Sequence, residues 1–571
     1  MRRFSVLLSL LLLAAGSPAR AETFLRWNQA GYAVTQPKVL VALSDTDLAG
    51  QNWFVLRGTA VVLRGMFDPS VSGANDNTPF AFNHVADVGA LVEPGDYDFV
   101  TAGAPPARFR IDTAPYHERL FSPLRHLRLM RSGSNYTLGR QFSHRGDAQA
   151  PVWVPAGDPA DGKWAAATPA RTVDALGGWY DAGDQIKFTL TTAGTTYRLL
   201  YAYRLNPAFA NKWRSPTELP DLLDEAQHGL EFLLRVMPDH DTFIIQVGNA
   251  ADHTQPFRLP EEDKLDGQRP ALCALSQVHM GATAAALALG AQVFAETGHP
   301  EDAARYGDMA KAVYARARES DTIPTAFERD VVNDFYRDPD PRDQLALAAM
   351  ELYALTKDAT YLEQAKAYAP PAATEVSWGD WNWLANAALA PHDPAAKQRL
   401  HEELAGYLKH AATAGAPWGV PGRYSWGSLH VWIGMANAAR LGDGSPAAQA
   451  LFWNMADYTF GRNNWGASFL FDEGLRNTLL HLYSPTYKLL HKFPTGALSE
   501  GPADRATHDA LTKFFTIPAD DTFRRFNTPA AVFFDNDTDF ACQEATISGQ
   551  ADILIMLALA AQPPPAAAPA H

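Results

Sequence analysis

The sequence predicts two dissimilar parts, a short all-β sandwich followed by a large all-α domain. Three observations carry this. Between residues 22 and about 113, short apolar or alternating runs are separated by turn residues: Lys38–Leu43, Trp53–Leu56, Ala60–Leu63 and Tyr97–Val100. Short strands at such spacing suggest a sandwich. From Phe188 onward apolar residues recur at helical spacing, as in Leu222, Leu223, Ala226, Leu230, Phe232 and Leu233. Hydrophobic residues make up 47% of 571, enough for a sizeable core and for more than one domain.

In chain order, residues 1–21 read as a secretory signal peptide. Arg2 and Arg3 give a positive start, Val6–Ala15 is almost wholly apolar, and Ala19-Arg20-Ala21 has the small-x-small pattern of a cleavage site. The apolar run is too short for an ordinary spanning helix, and no later stretch has the uninterrupted length to span a bilayer. Residues 22–113 form the predicted sandwich. Residues 114–562 form the second domain, with a first helix over Leu120–Met130 and a Gly-, Pro- and Ala-rich stretch up to residue 176, long for a loop. Helices are then expected over Thr192–Tyr203, Leu219–Met237, Gly281–Thr297, Asp302–Arg318, Asp343–Thr356, Thr360–Tyr368, Trp381–Leu389, Ala395–Ala412, Ser428–Ala439, Ala447–Tyr458 and Gln543–Ala561. Residues 563–571, rich in Pro and Ala, read as a flexible tail.

The formal net charge is −15, which disfavours nucleic acid as a partner, since no basic surface is evident to meet phosphates. Cys273 and Cys542 are the only cysteines. They make no disulfide framework, and buried free thiols in helix-like contexts are expected. The aromatic inventory, 14 Trp, 19 Tyr and 30 Phe, suits core packing and, for a handful, platforms for the apolar face of a sugar.

The stretch Gly177-Gly178-Trp179-Tyr180-Asp181-Ala182-Gly183-Asp184 is the organising motif. Two carboxylates three residues apart lie in a short turn before a predicted helix, where partial positive charge favours ionised acids. Gly183 between them is expected to take a positive φ. Paired acids beside aromatic rings can activate water next to a sugar. The spacing alone equally describes an ordinary helix-capping turn.

The longer run GGWYDAGDQIKF resembles the sequence around the catalytic base of glycoside hydrolase family 9, the inverting cellulases. The opening Arg26-Trp27-Asn28-Gln29-Ala30-Gly31-Tyr32 is similar to the immunoglobulin-like module attached to many members. Near the C-terminus, Phe533–Ala545 resembles the acidic, aromatic run that precedes the family's general acid, with Gln543-Glu544 in place of Asn-Glu. The Leu219–Ala226, Gln246–His253, Gly281–Ala286, Tyr424-Ser-Trp426-Gly427-Ser428 and Phe460–Asn463 segments resemble family elements in order. So does Gly496-Ala-Leu-Ser-Glu500-Gly-Pro502, set against the family's Gly-Ala-Leu-x-Gly-Gly-Pro.

The resemblance implies an immunoglobulin-like sandwich joined to an (α/α)6 barrel. It implies Asp184 as base, Asp181 as the residue that helps position water, and Glu544 as acid. Read from its own surroundings, Glu544 is either a proton donor whose proton is held by neighbouring acids and desolvation or a surface residue capping the last helix. Trp179, Tyr180, His253 and Trp426 are candidate substrate-binding residues or core residues. The family's Pro-His-His-Arg element is missing. Gly474–Tyr483 stands there instead, so that His481 or Arg476 is a candidate substitute. No metal signature stands out. No cofactor is expected to be required, and structural calcium is allowed by the resemblance without assignable ligands.

The expectation is a secreted or periplasmic, inverting hydrolase of β-1,4-glucan, an endoglucanase of cellulase type. It would be a monomer without a membrane anchor, acting on a β-glucan or oligosaccharide. Two alternatives stand: an exo-acting β-glucosidase or glucosaminidase on short oligosaccharides, and a non-catalytic carbohydrate-binding protein.

Overall fold

The computed structural model describes residues 22–562 except 136, 159–161, 210–216, 218, 254, 321–335, 337 and 473–478. The predicted signal and tail segments lie outside the described residues.

The N-terminal part is a two-sheet β-structure. Its strands are β1 (Thr23–Arg26), β2 (Tyr32–Ala33), β3 (Val39–Ser44), β4 (Asn52–Arg57), β5 (Ala60–Met66), β6 (Phe82–Asp87), β7 (Gly95–Thr101) and β8 (Ala107–Asp112). One sheet runs β1-β3-β6 and the other β2-β8-β7-β4-β5. The inward set shows why: in β8, Ala107, Phe109 and Ile111 are buried while Arg108 and Arg110 are exposed, the period of two of a half-buried strand. With Leu40, Trp53, Val55 and Phe99 they form a core separate from that of the helical part. The four expected strands are present. Four more escaped prediction: β1, β6 and β8 mix charged or amide residues with their apolar ones, and β2 is only two residues long.

This module is tied to the helical part by buried polar contacts. Asn28 Nδ2 and Gln36 Nε2 donate to Asp457 Oδ1 at 2.8 and 2.6 Å. The Gln29 amide donates to the Phe460 carbonyl at 2.8 Å, and the Trp418 indole to the Asn77 carbonyl at 2.9 Å.

In the helical part, helices buried nearly all round alternate along the chain with helices carrying one exposed face. The buried set is Thr189–Leu205, Gln277–Glu296, Arg342–Thr356, Asn382–Leu389, Ser428–Gly442 and Ile547–Ala560. Between them lie Asp221–Leu233, Pro300–Glu319, Ala359–Ala367, Pro394–Thr413 and Pro446–Thr459. An inner ring of six and an outer ring make an (α/α)6 barrel. One inner helix, Gln277–Glu296, is apolar and long enough to cross a bilayer, contrary to the sequence expectation, yet 89% of its apolar window is buried inside the fold. A barrel's inner helix meets protein on every side, so its sequence loses amphipathic patterning.

An unforeseen small sheet joins strands from before and after the acid motif. Ala150–Pro155, Trp164–Ala166, Lys187–Phe188, Ile244–Val247 and Ala271–Cys273 are joined in it, with Thr172–Val173 at its side. Lys187 pairs with Val247 and Phe188 with Gln246, which carries the loop after Val247 to the acid turn. Both cysteines are free and buried, but Cys273 lies in a strand rather than a helix.

Candidate active site

The acid turn is held from behind. Gly177 and Gly178 have φ of 89° and 72°, a region costly for residues with a Cβ, and the Lys187 ammonium donates to the carbonyls of Ala175 and Gly177 at 2.6 and 3.1 Å. Trp179 is fully buried, and its indole donates to Glu225 Oε1 at 2.8 Å. The Tyr180 hydroxyl meets His144 Nδ1 at 2.6 Å and Ser143 Oγ at 2.8 Å. These two aromatics anchor the turn in the core and do not line the main cleft, which corrects their reading as substrate-binding residues. An aromatic run beside acids does not reveal which rings face inward.

Asp181 is 2% exposed. Its amide donates to the Ile186 carbonyl at 3.0 Å and closes the turn. Its carboxylate accepts from Thr191 Oγ1 at 2.5 Å and from the Tyr336 hydroxyl. Burial, then the charge of Asp184, pushes its pKa up to about 7. Asp184 accepts from the Ile186 amide at 2.9 Å through Oδ1, and its Oδ2 lies 2.8 Å from His253 Nε2. Burial works against charging His253, but the hydrogen bond to Asp184 and its charge raise the imidazole to about 9. At neutral pH His253 is therefore an imidazolium donating to Asp184.

The His253 loop is braced by ion pairs. Asp252 accepts from the Gln185 amide at 2.7 Å and pairs with Arg258. Arg258 also meets Asp263 at 2.8 Å, and Asp263 lies 2.9 Å from His144 Nε2. His144 in turn meets Tyr180, so the brace returns to the acid turn.

Glu544 comes from the far end of the chain. It follows the short helix Phe540–Gln543 in extended conformation, φ −86° and ψ 125°. The last inner helix begins only at Ile547, capped by Thr546 Oγ1 on the Gly549 amide at 3.1 Å. Glu544 is thus neither inside nor capping that helix, as its sequence context had suggested. The Gly183 amide donates to Glu544 Oε1 at 2.8 Å, and the Ile547 amide donates to the Asp181 carbonyl at 2.9 Å. Burial, then the nearby charge of Asp184, holds the Glu544 carboxyl well above its usual range against the Gly183 hydrogen bond. Gly183 does not have the positive φ expected of it. Its need is space: a Cβ there would lie 2.6 Å from the Tyr483 ring and 2.8 Å from Glu544 Oε1.

Asp181, Asp184, His253, Glu544 and Trp426 line one cleft of about 590 Å³. Trp378, Tyr336, Phe257, Tyr483, Phe540 and Lys488 also line it, and sequence reasoning did not single them out. Nothing in their local patterns separates them from core aromatics. His481 is half exposed, pairs with Asp535 at 3.3 Å, and is not part of the cleft wall. Arg476 lies outside the described residues. The arrangement offers one carboxyl group beside an imidazolium and a second whose burial favours keeping its proton, both reaching an aromatic-walled cleft.

Among the described residues one mixed group gathers potential metal ligands, His508, Asp539 and Cys542, with ligand atoms within 4.8 Å of one another. His508 Nε2 already bonds Asp539 Oδ2 at 2.9 Å, and Asp539 Oδ1 accepts from the Cys542 amide at 3.2 Å. A nitrogen and a sulfur in the set do not suit calcium, which takes six to eight oxygens.

Comparison with known proteins bears on this site directly. The chain is 27% identical to Endoglucanase C of Cellulomonas fimi over 585 residues, covering 92% of this chain and 50% of that protein. It is 32% identical to Endoglucanase 4 of a Bacillus species over 209 residues, covering 34% of this chain and 30% of that one. It therefore spans half or less of the length of these relatives. Its fold matches a thermostable endoglucanase from Alicyclobacillus acidocaldarius, with a TM-score of 0.77 and 22% identity over 94% of this chain and 99% of that one. The model for Glycosyl hydrolase family 9 matches residues 116–557. That span takes in the acid turn, the His253 loop and Glu544, and with it the whole barrel around the cleft: the chain belongs to glycosyl hydrolase family 9.

Proposed function

We propose that this protein hydrolyses β-1,4-linked glucan by an inverting single displacement. The observation that carries the reading is the meeting of Asp184, paired with the His253 imidazolium, and Glu544, whose burial favours keeping its proton, in one aromatic-lined cleft. Asp184 takes a proton from a water that Asp181 helps to orient. The water oxygen bonds to the anomeric carbon as the glycosidic bond to the leaving oxygen breaks. Glu544 gives its proton to that oxygen. His253 holds Asp184 in place. Water attack on the face opposite the leaving group inverts the anomeric centre.

By similarity to relatives named endoglucanases, cutting within a soluble chain is the first reading. A second, exo-acting reading on short oligosaccharides has one observation in its favour. Lys488 pairs with Asp537 at 3.0 Å and sits 5.4 Å from the Phe257 ring, so it links the acid side of the cleft to the base side. Viscosity loss per new reducing end on a soluble β-glucan separates the two. Residues 1–21 are proposed to direct export and to be removed, with 22–113, 114–562 and 563–571 as module, barrel and tail.

The test of the chemistry is proton NMR of the first product from a β-linked substrate. The α-anomer should appear before mutarotation, and Asp184→Asn and Glu544→Gln should each lower turnover roughly 100-fold or more. An initial β-anomer means a retaining mechanism and other carboxylates.

A further inference from the structure

Glu500 is a buried carboxyl that the reaction above leaves unused. It stands where the family motif quoted above has its first paired glycine, and it is 2% exposed. Its Oε1 accepts from Thr546 Oγ1 at 3.1 Å, and its Oε2 is buried without a hydrogen-bond partner among the described residues. A Cβ on Gly427 would fall 2.2 Å from that Oε2, so the carboxyl is pressed against the backbone next to Trp426. Its carbonyl accepts from the Leu429 amide at 3.2 Å.

Its neighbour completes a bracket. Ser499 Oγ donates to the Cys542 carbonyl at 2.7 Å. Cys542 and Thr546 lie two residues before and two after Glu544. One dipeptide therefore grips both sides of the residue read as the acid, on the link between the short helix Phe540–Gln543 and the last inner helix. We propose that Ser499 and Glu500 are positioning residues for Glu544, and that the Glu500 carboxyl sets the upper pH limit of the reaction. The proposal rests on the reading of Glu544 as proton donor.

The groups that face Glu544 are Asp184, Glu500, His253, Tyr336 and Tyr483. Glu500 itself faces Asp181 and Glu544. Burial first, then Asp181, pushes Glu500 up to about 8, so it becomes charged only in alkaline solution. A new negative charge then disfavours a second one on Glu544, and the acid keeps its proton to higher pH than it otherwise would.

The experiment compares Glu500→Gln, Glu500→Ala and Ser499→Ala on a soluble β-1,4-linked oligosaccharide across pH 4–10. Glu500→Gln keeps an oxygen for Thr546 and should hold kcat at the optimum within about threefold, while the basic limb of kcat/KM moves down by roughly half a pH unit or more. Glu500→Ala should lower kcat roughly three- to tenfold with KM within about twofold. Ser499→Ala should lower kcat without moving the limb. A basic limb that stays in place in Glu500→Gln overturns the charge role. A wild-type kcat in both alanine variants overturns the positioning role. If the Glu500→Ala protein does not fold, Glu500→Gln and Ser499→Ala still decide. Glu544→Gln serves as the separate control: wild-type turnover there rejects the assignment of the acid itself, whereas an inactive Glu544→Gln beside an unchanged Glu500→Gln limb rejects only this inference.

Discussion

Gly183→Ala adds one methyl group at the point where the acid turn meets Glu544. The backbone at Gly183 is not left-handed, so alanine brings no conformational strain and the effect is steric. The new Cβ would lie 2.6 Å from Tyr483 Cδ1 and 2.8 Å from Glu544 Oε1, against an optimum of about 3.5–4.0 Å for non-bonded carbons. Tyr483 has little room to retreat, with Phe257 at 5.1 Å and Phe540 at 5.6 Å between ring centroids. Overpacking of this kind costs about 1–3 kcal/mol, and a displaced Glu544 also weakens the Gly183 hydrogen bond, worth about 1 kcal/mol. A displacement near 1 Å at a reacting group lowers turnover about 100-fold. The expectation is a kcat reduced roughly 30- to 100-fold, about 2–2.7 kcal/mol of barrier, with a melting temperature lower by several degrees. The assay is kcat and KM on a chromogenic cello-oligoside beside thermal unfolding. Gly183→Ala combined with Tyr483→Ala removes the ring clash but not the contact with Glu544, so it should not recover turnover. A single variant that keeps kcat within threefold of wild type refutes the argument.

Four further outcomes are expected. Stability should fall as pH rises from about 5.5 to 8.5. Burial is the first cause that raises Asp181, Asp457 and Glu403 to about 7 and Glu500 to about 8. A carboxyl raised in the folded state stabilises below its unfolded pKa of about 4, and that gain is lost as pH rises through the folded value. Melting temperatures that climb over this range would contradict the sign. Trp426→Ala should raise KM severalfold with little change in melting temperature. Trp179→Phe should do the reverse, losing an indole bond to a buried carboxylate worth about 1.5–3 kcal/mol; matching KM effects would put Trp179 back in the cleft. Deleting residues 22–113 removes Asn28 and Gln36 from Asp457 and should lower both melting temperature and solubility. Unchanged values in the truncated protein would make the module an independent passenger.

The sequence by itself determined the local elements and the chemistry-bearing motif. Strand β4 and the helix Asp221–Leu233 follow from runs whose periodicity answers to neighbours a few residues away. The motif Gly177–Asp184 was legible because a turn writes its constraints into adjacent positions. Glu544 was legible through the acidic, aromatic run before it, but its conformation was not: it lies in extended backbone three residues before the helix predicted to contain it. The tertiary structure alone decided what touches what. It placed Gly183 against Glu544, 361 positions away, and brought His253 to Asp184 through a two-residue strand too short to leave a pattern. It sent Trp179 inward and left Trp378 in the cleft, although both are tryptophans beside glycine and acidic residues. Local periodicity encodes which face of an element is apolar. It does not encode which apolar face meets a core and which meets a ligand, because that depends on side chains hundreds of residues distant arriving at the same few ångströms.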